Sequence, residues 1–246
     1  MSDLAARVER LRGPDYDVVR KASYVALDVA SGAEALAVID ELSPVVDGYK
    51  VGLELFYRAG LPLIEHLVSR NLRVFLDVKL HDIPNTVAGA LRGICQFPIE
   101  MVNVHAQGGL RMLSAAREAV DASAFHPLLI GVTLLTSLDA SDLAALGIAE
   151  SPESTVLRLT ELTRQGGLDG VVCSAAELSV LRPLVGPAFE RIVPGARLST
   201  DALHDQRRSL TPRAAMRLGA TRLVLGRAVL GCPDKLAAID HYWKEM

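Results

Sequence analysis

Apolar residues along the chain follow two alternating rhythms. Short runs rich in Val, Ile and Leu recur at 23–29 (SYVALDV), 45–51 (VVDGYKV), 73–79 (RVFLDVK), 101–105 (MVNVH), 128–135 (LLIGVTLL), 169–174 (DGVVCS), 190–194 (ERIVP) and 222–226 (RLVLG). Between them lie longer Ala- and Leu-rich segments, at 32–42, 60–70, 86–96, 108–120, 153–165 and 211–218. The first rhythm predicts strands and the second predicts helices with one apolar face. Strands alternating with helices of this length give βαβ units and a parallel sheet. About eight such units in about 250 residues match a single-domain α/β protein, a (β/α)8 TIM barrel. A doubly wound open sheet is the alternative. No Gly/Ser/Pro-rich linker divides the chain, so one barrel domain is expected over 22–246. Residues 1–21 read as a polar N-terminal arm or short helix, broken at Gly13-Pro14.

Strand parity adds to this picture, because residues two apart share a face. Asp28 falls in the parity of Tyr24 and Ala26, Lys50 in that of Val46 and Gly48, and Asp77 and Lys79 in that of Phe75. Asn103 and His105 share one parity of the fourth strand. The opposite parity is mostly Val, Leu or Met, as expected where strands pack on outer helices. Polar groups of one parity thus gather at C-terminal strand ends, where α/β folds carry their chemistry.

Lys50, Asp77, Lys79 and Asp82 sum to zero charge, so they can share a partly buried site. Alternating signs keep each group ionised. A charged Lys79 can stabilise a developing anion and then protonate it, while a fixed Asp77 repels an anionic group on the substrate. The plainer readings are an ordinary strand-end ion pair for Asp77 and Lys79, and a helix N-cap near Pro84 for Asp82. The company of Lys50 and Asp28 favours chemistry.

A second constellation points to phosphate. Val193-Pro194-Gly195-Ala196-Arg197 ends one strand, Asp205-Gln206-Arg207-Arg208 follows in a polar loop, and the last strand ends at Gly226-Arg227. Barrels commonly bind phosphate on the loops after strands seven and eight. Gly226 lets the backbone approach an anion, and Arg227 and Arg197 can bond to it. Arg207 and Arg208 read better as solvated residues. Thr136 and Ser137, after the fifth strand, offer hydroxyls at the same mouth.

Composition narrows the function classes. The chain is 50% hydrophobic with a net charge of −3, which argues against a broad basic field for nucleic acid. Three distant cysteines, Cys95, Cys173 and Cys232, suggest neither a disulfide framework nor a metal pair, and predict a cytoplasmic protein. The six histidines show no H-x-H or H-E-x-x-H spacing, so no metal site is expected. No apolar run reaches the roughly 18 residues of a membrane helix, and the first residues lack a secretory signal pattern.

Taken with Val25-Ala26-Leu27-Asp28, Lys50-Val51-Gly52, Phe75 through Thr86, Met101 through Ala106, Leu135-Thr136-Ser137, Gly167 through Ser174, Pro194-Gly195-x-Arg197, Asp205 through Arg208 and Gly226-Arg227, the chain resembles the orotidine 5′-monophosphate decarboxylases of bacterial type. The D-x-K-x-x-D-I-P-x-T string is the most specific part. The resemblance implies a homodimeric TIM barrel of pyrimidine biosynthesis that uses no metal and no cofactor. It implies Lys79 as proton donor to C6, Asp77 facing the substrate carboxylate, and Lys50 bonding the ribose and holding Asp77. Asp82 and Thr86 would come from the partner subunit, Asp28 would bind ribose, and Thr136 or Ser137 the pyrimidine. Gln206, Gly226 and Arg227 would hold the phosphate, with Arg197 at the same end. The family often carries Pro and Gly in the loop after Pro194-Gly195. Residues 198–205 here have neither, which implies slower phosphate-coupled closure.

Overall fold

The alternation of short apolar runs and longer helical segments resolves into a closed barrel. The computed structural model describes residues 3–195 and 210–246. Eight parallel strands follow one another around the barrel: β1 (Ser23–Ala26), β2 (Gly48–Gly52), β3 (Arg73–Leu80), β4 (Met101–His105), β5 (Leu128–Val132), β6 (Gly170–Val172), β7 (Glu190–Pro194) and β8 (Arg222–Leu225). The ring closes through β1 and β8, with Val25 opposite Leu225. The open doubly wound sheet is thereby set aside.

Two short helices, α1 (Asp3–Leu11) and α2 (Tyr16–Lys21), precede the barrel, separated near Gly13-Pro14 as the sequence suggests. The outer layer comprises α3 (Gly32–Leu42), α4 (Leu53–Ser69), α5 (Pro84–Ile94), α6 (Gly109–Asp121), α7 (Ala140–Ala145), α8 (Pro152–Gln165), α9 (Leu178–Leu181), α10 (Pro212–Leu218), α11 (Arg227–Leu230) and α12 (Lys235–Lys244). Local chemistry sets several starts. Ser31 accepts from the Glu34 N–H at 3.2 Å to begin α3, Ser151 caps α8 ahead of Pro152, and Thr211 caps α10 ahead of Pro212. The α4 helix begins seven residues before the expected 60–70. Gly60, at φ 63°, kinks it ahead of Pro62, so its first half reads poorly as a continuous helix. Five strands are shorter than expected. β1 stops at Ala26, β2 starts at Gly48, β5 stops at Val132, β6 spans only Gly170–Val172 and β8 stops at Leu225. Asp28 therefore lies just beyond its strand, in the loop above it.

The parity argument survives in the packing. Val25, Val51, Leu76, Val102 and Leu129 face outward into a continuous core shared with the helices. Tyr24, Phe75, Met101, Ile130, Ile192 and Val224 fill a separate inner layer. At about 25 cal/mol per Å² of apolar surface buried, these two layers are the main source of stability.

Beneath the inner layer, at the N-terminal strand ends, lies a floor of charge. Arg73 bonds Asp47 at 2.9 Å and Glu100 at 3.1 Å. Arg222 bonds Glu100 at 2.9 Å and Glu190 at 3.0 Å. The Tyr24 hydroxyl donates to Glu100 at 2.6 Å, and the Arg73 guanidinium lies 4.9 Å from the centre of the Tyr24 ring. Arg20 also reaches Asp47. Three arginines and three carboxylates thus close the barrel with balanced charge. The two terminal segments are joined over this end. Tyr16 meets Trp243 edge to face at 5.7 Å, and the Trp243 indole donates to the Ser23 hydroxyl at 3.1 Å.

Candidate active site

The C-terminal strand ends carry a second, different charge arrangement. Lys50 rises from β2, is 9% exposed, and donates to Asp28 at 3.2 Å. The same ammonium lies 3.4 Å from the Asp77 Oδ2. Lys79 donates to the Asp77 Oδ1 at 2.6 Å. Asp28, Lys50, Asp77 and Lys79 thus form one line of alternating charge from the loop after β1 across β2 and β3. Burial alone would raise the Asp77 pKa. The Lys50 and Lys79 charges, with hydrogen bonds from Lys79 and Asn103, outweigh it and hold this carboxyl below its usual range. Asp77 is therefore an anion at neutral pH, with Lys79 in direct contact and 27% of its side chain open to the mouth.

Lys79 reaches the mouth by an irregular route. Along β3 and β4, Leu76 pairs with Val102 but Leu80 pairs with Val104, so β3 spends two more residues than its neighbour. Within this bulge Lys79 adopts φ 49°, a left-handed conformation that is uncommon for a side chain of its size. Strand alternation predicts the right face for Lys79, although the regular strand on which that prediction rests has already been interrupted.

Two neighbours to which sequence reasoning gave no role complete this centre. Asn103, fully buried on β4, accepts the Lys79 backbone N–H at 2.8 Å and donates to the Asp77 Oδ1 at 2.8 Å. Gly52 lies opposite Asp77 in the sheet, and a β carbon there would sit 2.9 Å from the Lys50 ammonium. Its bareness lets Lys50 lean forward over the strand end to meet both acids. The signals were present, a buried-parity amide and a glycine two residues after Lys50, but neither has a periodicity of its own.

Other expected residues fall around this centre. Gly226, between β8 and α11, lies beside Asp28, with 3.8 Å from its would-be β carbon to the Asp28 Oδ2. Exposed Arg227 follows it. Thr136, half-buried, and Ser137, exposed, occupy the turn after β5. Thr133, just before them, donates its hydroxyl to the Val172 carbonyl at 2.9 Å, which is strand-end capping. Arg197, Gln206 and the 198–205 loop lie outside the described residues, as do Arg207 and Arg208.

Asp82 and Thr86 stand apart from the charge line. Asp82 is exposed, accepts from the Ile83 N–H at 2.7 Å, and pairs with no cation among the described residues. It is not the N-cap of α5, a place taken by Ile83 with Pro84 in the first turn. Thr86 is exposed on that first turn. His105, on the same parity of β4 as Asn103, has a buried Nδ1 without a partner among the described residues. Its ring lies 5.3 Å from that of His81, and burial, His81 and Lys79 hold its pKa below the usual value.

The comparisons with known proteins agree on one family. The orotidine 5′-phosphate decarboxylase / HUMPS family matches residues 23–242. The chain is 51% identical to an orotidine 5′-phosphate decarboxylase of Chromobacterium violaceum over 87% of each protein. It is 43% identical to that of Carboxydothermus hydrogenoformans, over 90% of this chain and 94% of that one. The crystal structure of the Lactobacillus acidophilus orotidine 5′-phosphate decarboxylase superposes with a TM-score of 0.80 at 31% identity, covering 92% of this chain and 98% of the other. A barrel with this line of charge at its mouth, matched across nearly its whole length, belongs to the orotidine 5′-phosphate decarboxylase / HUMPS family.

Proposed function

We propose that this protein decarboxylates orotidine 5′-monophosphate to UMP and CO2 in pyrimidine biosynthesis, using its own side chains alone. The observation that carries the reading is the Asp28–Lys50–Asp77–Lys79 line at the barrel mouth of a member of this family. Breaking the bond between C6 and the carboxylate leaves its electron pair on C6, where the pyrimidine ring delocalises it poorly. The Lys79 ammonium stabilises that charge and then transfers a proton to C6. Asp77 accepts the Lys79 ammonium and faces the departing carboxylate. Any ground-state repulsion there is secondary to the stabilisation of the carbanion. Lys50 bonds the ribose and holds Asp77, with Asp28 on the ribose beside it. Thr136 or Ser137 meets the pyrimidine. Gly226 and Arg227, with Arg197 and Gln206, take the phosphate, whose binding energy is available to position C6 against Lys79.

The same proposal makes the protein a homodimer, with Asp82 and Thr86 completing the partner's site. Supporting this, Ile83, next to Asp82, is 67% exposed, and Tyr57 on α4, 82% exposed, lines an apolar depression with Leu53 and Leu61. Mixing Lys79→Ala and Asp82→Ala proteins tests it. Half of the randomly paired dimers are then hybrids, each with one intact site, so about a quarter of wild-type turnover is expected to return. Mixtures as inactive as their parents would place Asp82 in its own subunit's site.

The division into a 1–21 arm and a 22–246 catalytic barrel belongs to this reading and is supported by the family match, which begins at residue 23. A cytoplasmic location is in keeping with the three unpaired cysteines. None of the helices among the described residues is long and apolar enough to cross a membrane. A metal-dependent phosphosugar lyase of similar architecture is the rival, and it needs extra carboxylate ligands. Among the described residues no three His, Cys, Asp or Glu side chains are grouped to supply them. The deciding assay follows the absorbance of orotidine 5′-monophosphate with purified protein, before and after EDTA. Full turnover in both is expected, whereas a protein inactive until a divalent metal is returned would favour the rival.

A further inference from the structure

We propose that Asn103 is a positioning residue for the reaction, its one amide setting both the backbone of Lys79 and the carboxylate of Asp77. The proposal rests on the reading of Lys79 as proton donor.

The bulge creates the need. Because β3 carries two residues more than β4 between Leu76 and Leu80, the Lys79 N–H is displaced from the regular ladder. The Asn103 Oδ1 accepts it at 2.8 Å. Lys79 meanwhile holds φ 49°, a strained conformation for a side-chain-bearing residue that persists only when its surroundings enforce it. The other end of the same amide donates to the Asp77 Oδ1 at 2.8 Å. That oxygen also receives the Lys79 ammonium at 2.6 Å, while Oδ2 faces Lys50 at 3.4 Å. Asn103 thus holds the root of the Lys79 side chain and the acid against which its tip rests.

The residue type follows from the site. Asn103 is fully buried, so its acceptor and its donor both require partners. Only a neutral amide of this length offers one of each without adding charge. An aspartate would accept from Lys79 but set a second carboxylate against Asp77, and a leucine of the same branched shape would offer neither bond.

The test compares Asn103→Leu, Asn103→Asp and Lys79→Ala as full chains, with active sites counted by UMP titration so that any unfolded fraction is excluded. For Asn103→Leu, kcat is expected to fall about 10²-fold, the usual scale for a reacting group misplaced by about an ångström. UMP affinity and KM are expected to stay within about threefold, since the amide spends both its bonds within the protein. Asp77 faces Lys50 from β2, Lys79 from β3 and His105 from β4, with Asp28 behind Lys50. Losing the Asn103 donor moves the acid limb of the kcat–pH profile to higher pH. Asn103→Asp is expected to be poorly active at neutral pH and to recover on acidification, when a proton shared with Asp77 restores the donor.

A wild-type kcat and acid limb in Asn103→Leu, or an Asn103→Asp profile parallel to wild type, would overturn the proposal. So would a loss confined to thermal stability, which is all that a merely structural role predicts. If Lys79→Ala itself turns over normally, the reading of Lys79 fails. If Lys79→Ala is inactive while Asn103→Leu is normal, this inference alone fails.

Discussion

Replacing Lys79 by alanine is expected to lower kcat by about 10⁴-fold or more while leaving a folded protein that binds UMP. Two effects vanish with the ammonium, namely stabilisation of the carbanion and delivery of its proton. General acid catalysis typically contributes about 10²–10⁴-fold, and a single preorganised electrostatic donor about 10²–10³-fold. One group supplies both here, so the effects do not simply multiply. The fold is expected to survive because alanine at φ 49° carries much the same steric cost as lysine, and the Lys79 N–H keeps its bond to Asn103. UMP has no carboxylate at C6, so its affinity depends on the ribose and phosphate contacts instead. Absorbance-monitored turnover and UMP titration check the two halves separately. Turnover within tenfold of wild type would remove Lys79 from the mechanism.

Glu100→Ala, at the opposite end, is expected to cost stability and leave the chemistry intact. Glu100 receives Arg73, Arg222 and the Tyr24 hydroxyl together. Its removal leaves two guanidiniums with one carboxylate each, Asp47 and Glu190, and leaves the Tyr24 hydroxyl without its acceptor. Breaking a buried ion pair costs about 3–5 kcal/mol, and since Glu100 is a quarter exposed the lower figure applies. For a chain of this length, about 3 kcal/mol corresponds to a fall in Tm of about 6–12 °C. Thermal unfolding followed by circular dichroism measures it, with kcat at 25 °C as the control. A shift of less than about 2 °C would mean that the floor contributes little beyond closing the barrel.

Much of this was legible in the residues, for identifiable reasons. Strand–helix alternation yields a barrel because each strand is short, apolar on its outward parity and separated by enough chain to cross over. The pairing of Lys50 with Asp77 was readable because both follow that parity at strand ends. Lys79 was reached by the same rule, yet what places it is a bulge, and no period in the sequence reports a bulge. Asn103 read only as a polar residue on the inner parity. Its two partners are set by the register slip between β3 and β4, which is a property of the pair and of neither strand. The floor was missed altogether. Arg73, Glu190 and Arg222 are the first residues of their strands, where a charged residue reads as an ordinary boundary. The α7, α9 and α11 helices span only one or two turns, too short for a helical period to emerge from the background. Asp82 is the opposite case. Its role was read from resemblance, and within a single chain it stands exposed beside Ile83, away from the charge line.

Between the charged floor and the charged mouth lies the inner layer of Tyr24, Phe75, Met101, Ile130, Ile192 and Val224. With the two extra residues of the bulge discounted, the strand advances about 13 Å from Arg73 to Lys79, at about 3.3 Å per residue. At that separation, with no shared partners, energetic effects add within about half a kcal/mol. Changes at the floor and changes at the mouth are therefore mutationally independent. A lineage can drift at the bottom of this barrel, or a protein engineer can reinforce it, without retuning the lysines above.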